Sequence, residues 1–304
     1  MNKLFILLGP TASGKSDLSI KLAKDFPFEI INADLYSIYR GLDIGTAKPS
    51  KRDMDITKHY LVDNIDPNMK YNVSMFCSDV SHCINTIYMR NKVPLIVGGS
   101  MMYVHQLING LTHEYSISES DRKVISYIKE VYTDQTIHDS LQGDRTIFLD
   151  NINPNDSYRI EKLLERLISP QNNEKHYKGL KNMCDINIYT MFIDVQDREY
   201  LRENILIRTK KMIQQGLIKE VQNLIIRYNL TRDTQSMRAI GYRETIDYLE
   251  NKIDLKALTD TIYLSTRQLA KRQLTWKNKF EINLNLSYPD INYNNLSKFI
   301  SESL

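Results

Sequence analysis

The 304-residue chain is 42% hydrophobic and 25% charged, proportions that fill one large core or two modest ones and exclude an intrinsically disordered polymer. A net charge of +3 is too small to draw a polyanion to the whole surface, so any nucleic-acid contact has to come from a local cluster. No apolar run reaches the roughly 20 residues of a bilayer-crossing helix, Lys3 alone makes no basic signal-peptide region, and Cys77, Cys83 and Cys184 lack the CxxC spacing of a zinc site or the even number of a disulfide framework; a cytoplasmic protein that stays off the membrane is expected.

Lys3 to Leu8 is a short apolar run, followed by LLGPTASGKSDLS (7–19) and then by Leu18, Leu22 and Ala23 at the spacing of one helix face. This reads as strand, loop, helix. Phe28 to Ala33 predicts a second buried strand ending at Asp34, and Val93 to Val97 a third, ending in Gly98-Gly99-Ser100 with an apolar helix after it. Strands alternating with helices predict a parallel sheet, whose ligands sit at the carboxyl ends of the strands. The glycine loop, Asp34 and Gly98-Gly99-Ser100 then share one crevice if these strands are neighbours. From about residue 114 the sequence turns polar and helix-rich, with helices over Ser118 to Tyr132 and Asp156 to Ile168, the latter carrying Ile160, Leu163, Leu164, Leu167 and Ile168 on one face. Strand character returns over Ile186 to Asp194, and helices are predicted over Arg198 to Gln215, Leu217 to Tyr228 and about Leu255 to Trp276. The expected organisation is an α/β fold: a parallel-sheet core begins over 1–113, a helical insertion occupies 114–185, and 186–304 returns to the core and adds C-terminal helices.

Gly9, Pro10, Thr11, Ala12, Ser13, Gly14, Lys15 and Ser16 fill GxxxxGK[ST] at every fixed position. Backbone amides of such a loop converge on phosphate oxygens, Lys15 adds charge, Ser16 offers a hydroxyl to Mg²⁺, and the positive end of the following helix points to the same place. A nucleotide enzyme usually adds an Asp at the end of a later apolar strand to help hold the metal. Here the strand at 93–97 ends without a carboxylate, and Asp34 is left as a metal ligand, a general base or a turn cap. In GLDIGTAKP (41–49), Thr46 and Lys48 face either a ligand or solvent. RQLAKRQLTWKNK (267–279) holds five Lys or Arg and no acid. On a helix, Arg267, Lys271 and Arg272 lie close together while Leu269, Ala270, Leu274 and Trp276 turn inward, a pattern suited to phosphate-backbone contact.

Six separated stretches, GPTASGKS (9–16), YRGLDIGTAKP (39–49), VGGSMMY (97–103), NDSYRIEKLLE (155–165), RAIGYRE (238–244) and TRQLAKRQLTW (266–276), together resemble the tRNA dimethylallyltransferase (tRNA isopentenyltransferase) family, in that family's order. The resemblance implies transfer of a dimethylallyl group from dimethylallyl diphosphate to N6 of adenosine 37 of tRNA, with Mg²⁺ present. It also implies a core like that of P-loop kinases, with inserted helices that help clasp the anticodon stem-loop, and a monomer is expected. Carried onto this chain, Thr11 to Ser16 hold diphosphate, Asp34 is the base, Ser100 stands where the family usually has Thr and helps position Asp34 and the adenine, and Arg208 lies near the diphosphate. Contacts to tRNA fall on Asp34, Leu35, Tyr36, Ser37, Ser100, Arg122, Tyr158, Arg159, Arg238 within Thr234 to Ala239, and Arg267, Lys271 and Arg272 within Arg267 to Leu274. The chain departs from the family's Asp-Ser-x-Gln at Leu35 and Ser37, and carries Lys162 and Asn204 where arginines are usual; it lacks the zinc finger of eukaryotic relatives, so the bacterial form fits. Two other readings remain: an ATP-dependent small-molecule or nucleoside kinase, and a non-catalytic RNA-binding protein with a vestigial loop.

Overall fold

The computed structural model describes residues 2–111, 118–142, 152–168, 177–182 and 185–304. The chain forms two compact units, Met1–Gly110 with Lys178–Leu304, and Leu111–Tyr177. Cys184 and residue 114, the expected start of the insertion, lie outside the described residues.

The first unit opens with strand β1 (Asn2–Leu8), helix α1 (Lys15–Asp25), strand β2 (Phe28–Ala33), helix α2 (Lys51–Ile56), strand β3 (His59–Tyr60), helix α3 (Val73–Met89), strand β4 (Val93–Gly98) and helix α4 (Met101–Asn109). The second unit holds α5 (Glu119–Val131), α6 (Asp134–Leu141) and α7 (Ser157–Ile168). The chain then re-enters the first unit through β5 (Ile186–Val195), α8 (Arg198–Gln214), α9 (Leu217–Tyr228), α10 (Tyr242–Leu249), α11 (Leu255–Trp276), β6 (Leu284–Tyr288) and α12 (Tyr293–Ser303).

All six strands run parallel, in the order β3-β2-β4-β1-β5-β6. Strands buried on both faces need apolar residues at every position rather than alternate ones, and Leu4 to Leu8 are all fully buried. One core cluster gathers Phe5, Leu7, Phe28, Ile30, Leu95, Val97, Met191 and Ile193 from the sheet against Leu18 and Leu22 of α1 and Leu296 and Ile300 of α12. The register pairs Ala33 with Gly98 and Leu8 with Gly98, so β2 and β1 flank β4 and all three end at the same level. A side chain at 98 has no room: its Cβ would lie 2.2 Å from the Ala33 carbonyl oxygen. Here glycine is what lets the strand ends, and with them Asp34, the glycine loop and Ser100, converge.

In the second unit, Ile125, Ile137, Ile160 and Leu164 make a small core, with Ile128, Leu141, Ile152 and Ile168 packed against it. Ser118 and Thr133 cap α5 and α6 by accepting from the amides of Asp121 and Thr136.

The sequence patterns give no expectation for α2, β3, α3, α6, α10, β6 or α12. The sequence of α3 mixes β-branched and aromatic residues that are indifferent helix formers, and its buried stripe Phe76, Val80, Cys83, Ile84 and Ile87 makes it a helix. In β6 one residue of five, Leu286, is buried, as an edge strand requires.

Candidate functional site

The glycine loop leaves β1 at Leu8 and enters α1 at Lys15 through Gly14, whose φ of 75° is left-handed and therefore easiest for glycine. No side chain caps α1. Within the loop, Ser13 Oγ and Lys15 Nζ both donate to the Pro10 carbonyl, at 2.7 and 2.5 Å. The Thr11 amide donates to Gln273 Oε1 at 2.8 Å, and Gln273 Nε2 donates to the Gly99 carbonyl at 3.0 Å. Among the described residues, nothing accepts the amides of Ala12, Ser13 or Gly14. Three amides beside a helix N-terminus form a concavity suited to an anion.

Asp34 follows β2 directly. Its Oδ1 accepts from the Tyr36 amide at 3.1 Å, and its own carbonyl accepts from Asn32 Nδ2 at 3.0 Å. Ser100 ties the neighbouring strand end to the same turn: its amide donates to the Ala33 carbonyl at 3.1 Å, and its hydroxyl accepts from the Leu35 amide at 3.0 Å. Ser100 therefore fixes the backbone on both sides of Asp34. Burial raises the Asp34 carboxyl above the ordinary carboxylate range, against the pull of the Tyr36 amide, Arg208 and Lys15. Burial, helped by the nearby Arg208 guanidinium, lowers Lys15 to about 7. Arg208 too is lowered by burial, opposed by Asp34. The three feel one another's charge, yet no direct ion pair joins them among the described residues.

These groups line one cavity of about 1030 Å³ within the first unit. Helix α8 contributes Asn204, Ile207, Arg208, Lys211 and Met212, the one-sided spacing of a helix face. Thr11 to Ser16, Asp34, Ser37, Gly99, Leu269, Gln273 and Tyr288 complete much of the wall. Gly9, Pro10, Leu35, Tyr36 and Ser100 are not among the lining residues. Ser37 is buried, and its carbonyl accepts from the Asp63 amide. Asn204 donates to the Tyr288 hydroxyl at 3.3 Å.

The segment GLDIGTAKP is held by the scaffold. Glu220 of α9 accepts the Ile44 amide at 2.9 Å and the Tyr242 hydroxyl at 2.6 Å, and Tyr242 packs so closely that a Cβ at Gly45 would lie 2.3 Å from its ring. Lys48, its side chain 5% exposed, donates to the Tyr39 carbonyl and pairs with Asp43 and Asp63. Lys48 is thus held by the scaffold, although it also lines the cavity.

The basic residues fall into separate places. Lys271 and Arg272 are exposed on α11 without an ion pair among the described residues, and Arg267 lies 5.3 Å over the Tyr263 ring. Arg238 is exposed, on a short turn that Gln235 and Ser236 fasten to Tyr71 and Pro67. In the second unit Arg122 and Tyr158 are exposed, Arg159 pairs with Asp156 at 3.3 Å, and Lys162 pairs with Glu165 at 2.5 Å. Tyr288 is a site residue without a sign in the sequence, and Gln273, inside the Arg267 to Leu274 stretch expected against tRNA, lines the cavity. Gln273 stands among cations, but it follows Leu269 and Ala270 at i+4 and i+3, and that spacing placed it on the inward face.

No cluster of three or more His, Cys, Asp or Glu side chains suited to a metal occurs among the described residues. The donors that Ser16 and Asp34 offer to the cavity instead fit a hard cation held by one or two protein oxygens and completed by substrate phosphates and water, which is how Mg²⁺ sits with phosphorylated substrates.

A parallel sheet with a phosphate loop after its first strand defines the P-loop class. The family model described as IPP transferase matches residues 37–280, and one described as isopentenyl transferase matches residues 2–69; the chain belongs to the IPP transferase family. It is 37% identical to a tRNA dimethylallyltransferase of Coxiella burnetii over 281 residues, 91% of this chain and 90% of the relative. Its structure resembles the tRNA isopentenylpyrophosphate transferase of Bacillus halodurans with a TM-score of 0.71 at 31% identity, covering 100% of this chain and 97% of the other. A eukaryotic dimethylallyltransferase, solved acting on tRNA, shares the fold with a TM-score of 0.81 at 22% identity, covering 99% and 80%. Among the described residues no helix is long and apolar enough to cross a membrane.

Proposed function

We propose that the chain transfers the dimethylallyl group of dimethylallyl diphosphate to N6 of adenosine at position 37 of tRNA, releasing diphosphate. One observation carries the reading beyond family membership: among the described residues, an anion cradle with three unengaged amides shares its cavity with a half-buried carboxylate that has no ion pair and a raised pKa. A kinase reading has less support, because the strand beside the loop, β4, ends in Gly98-Gly99 where a metal-holding Asp is usual.

In this reaction the bond between the allylic carbon and the diphosphate oxygen breaks, a bond from N6 to that carbon forms, and the N6 proton passes to Asp34. A carboxyl raised toward neutrality is a better base for a weakly nucleophilic amine than an ordinary one, provided it is ionised when the amine arrives. The amides of Ala12, Ser13 and Gly14, with Lys15 and Arg208, stabilise the charge that gathers on the departing diphosphate. Mg²⁺, held by the Ser16 hydroxyl and diphosphate oxygens, would supply further charge neutralisation. Ser100 acts through the backbone by holding the turn that carries Asp34. The adenine has to leave its stack to reach the allylic carbon, at a cost of roughly a few kcal/mol, which phosphate contacts along Lys271 and Arg272 offset. With tRNA as substrate, the anticodon stem-loop is the partner, the cytoplasm is the place of work and a monomer suffices.

The test is one incubation with labelled dimethylallyl diphosphate, Mg²⁺ and unmodified tRNA, beside the same tRNA changed at position 37. Label in the first tRNA only is expected; equal labelling of both, or ATP consumption without tRNA, overturns the reading.

A further inference from the structure

Gln273 is 5% exposed, and both ends of its amide are engaged at once by two segments distant in the chain: Oε1 by the Thr11 amide at 2.8 Å and Nε2 by the Gly99 carbonyl at 3.0 Å. The fit is close enough that a Cβ on Gly99 would lie 2.3 Å from Nε2. Of the amides at 11 to 14, Thr11's alone has an acceptor among the described residues. A second contact seats the same loop on the same helix: Ala12, at a left-handed φ of 62°, packs on the apolar seam of Val195, Leu201, Ile205 and Ala270. The adjoining Lys271 and Arg272 are exposed on α11.

Resting on the function proposed above, we propose that Gln273 is a positioning residue for the diphosphate donor: it turns the Thr11 amide away from the cavity, locks the phosphate loop to the end of β4, and so presents the following three amides to the diphosphate. Glutamine suits the place because it offers one acceptor and one donor on a single rigid plane. Glutamate keeps the acceptor for Thr11 and sets an oxygen against the Gly99 carbonyl; methionine fills the space with neither group. Preorganised amides favour an anion because they need no reordering when it binds. Loss of the tether therefore weakens donor binding far more than it slows the step after binding.

The full-length protein and its Gln273→Met variant are titrated with inorganic pyrophosphate, assayed for KM and kcat, and compared by hydrogen exchange over residues 9–16. The expected result in Gln273→Met is an approximately tenfold weaker pyrophosphate affinity, a matching rise in donor KM, a kcat within about threefold, an unchanged tRNA affinity and faster amide exchange in the loop. Gln273→Glu keeps the acceptor for Thr11 but loses the donor to Gly99, so it is expected to weaken pyrophosphate binding and to speed loop exchange, the latter less than Gln273→Met does, and it carries the test if Gln273→Met does not fold. Unchanged loop exchange and pyrophosphate affinity in Gln273→Met overturn the assignment, as do the same unchanged values in Gln273→Glu. Failure of the unaltered protein to bind pyrophosphate would remove the functional reading itself.

Discussion

Two glycine-containing segments border the same cavity and make opposite use of their hydrogen-bonding groups. In 41–49, Glu220 takes the Ile44 amide, Tyr242 fills the space beside Gly45, and Lys48 is enclosed by Tyr39, Asp43 and Asp63. In 9–14, the amides of Ala12, Ser13 and Gly14 meet no acceptor among the described residues. Both segments look like ligand loops in sequence. The first has its polar groups matched by the scaffold, and the second presents them outward. Buried donors and acceptors are almost always paired, so a cluster of unmatched amides in a concave wall marks where a ligand belongs.

Substitutions can set the two loops against each other. The largest effect is expected at the acid that both border: Asp34→Asn lowers kcat by about 10³-fold while leaving tRNA affinity within twofold, as measured by single-turnover transfer and filter binding. Transfer at a normal rate would remove Asp34 as the base. In the open loop, Lys15→Met is expected to cost on the order of 10² to 10³ in transfer rate, with no fall in the thermal midpoint of the ligand-free protein, since it replaces a half-buried cation that has no ion pair among the described residues. In the closed loop, Glu220→Ala orphans the Ile44 amide and the Tyr242 hydroxyl and is expected to destabilise folding by about 3 kcal/mol in urea denaturation. A midpoint fall for Lys15→Met and none for Glu220→Ala would invert the contrast.

Smaller effects come from pH and salt. Lys15 in the ligand-free protein is protonated below about 7, so pyrophosphate affinity is expected to fall up to about tenfold per pH unit above that value, and Lys15→Arg flattens the profile. Stability moves the other way. The unfolded chain keeps this proton up to the ordinary 10.5 and the native chain releases it near 7, so the group adds stability as pH climbs between the two values. Replacing Lys271 and Arg272 together by Ala should reduce the slope of log affinity for tRNA against log salt by about 2, one for each cation. An unchanged slope makes that face of α11 merely solvated.

Much of the open loop was legible in the chain itself. Gly9 to Ser16 stand between an apolar run and a helical pattern, and Asp34 closes a second apolar run whose pairing with β4 brings it to the same level. What escaped was the work of single polar residues far along the chain. Gln273 reaches Thr11 across 262 residues and Glu220 reaches Ile44 across 176. Neither the local composition around Gln273, which is basic, nor that around Glu220, an ordinary amphipathic helix, reports a partner so distant in sequence. Lys48 shows the converse: a lysine in a glycine-rich loop invited a ligand reading, and its two carboxylate partners were visible only once the chain was folded.

The cavity wall draws on residues from Thr11 near the beginning of the chain to Tyr288 near its end, with the Gln273 tether almost as late. During synthesis the phosphate loop is made early, yet its Gln273 fastening follows Thr11 by 262 residues and the Tyr288 wall comes later still. A nascent chain therefore carries the motif before the finished cradle, which waits for α11 and β6.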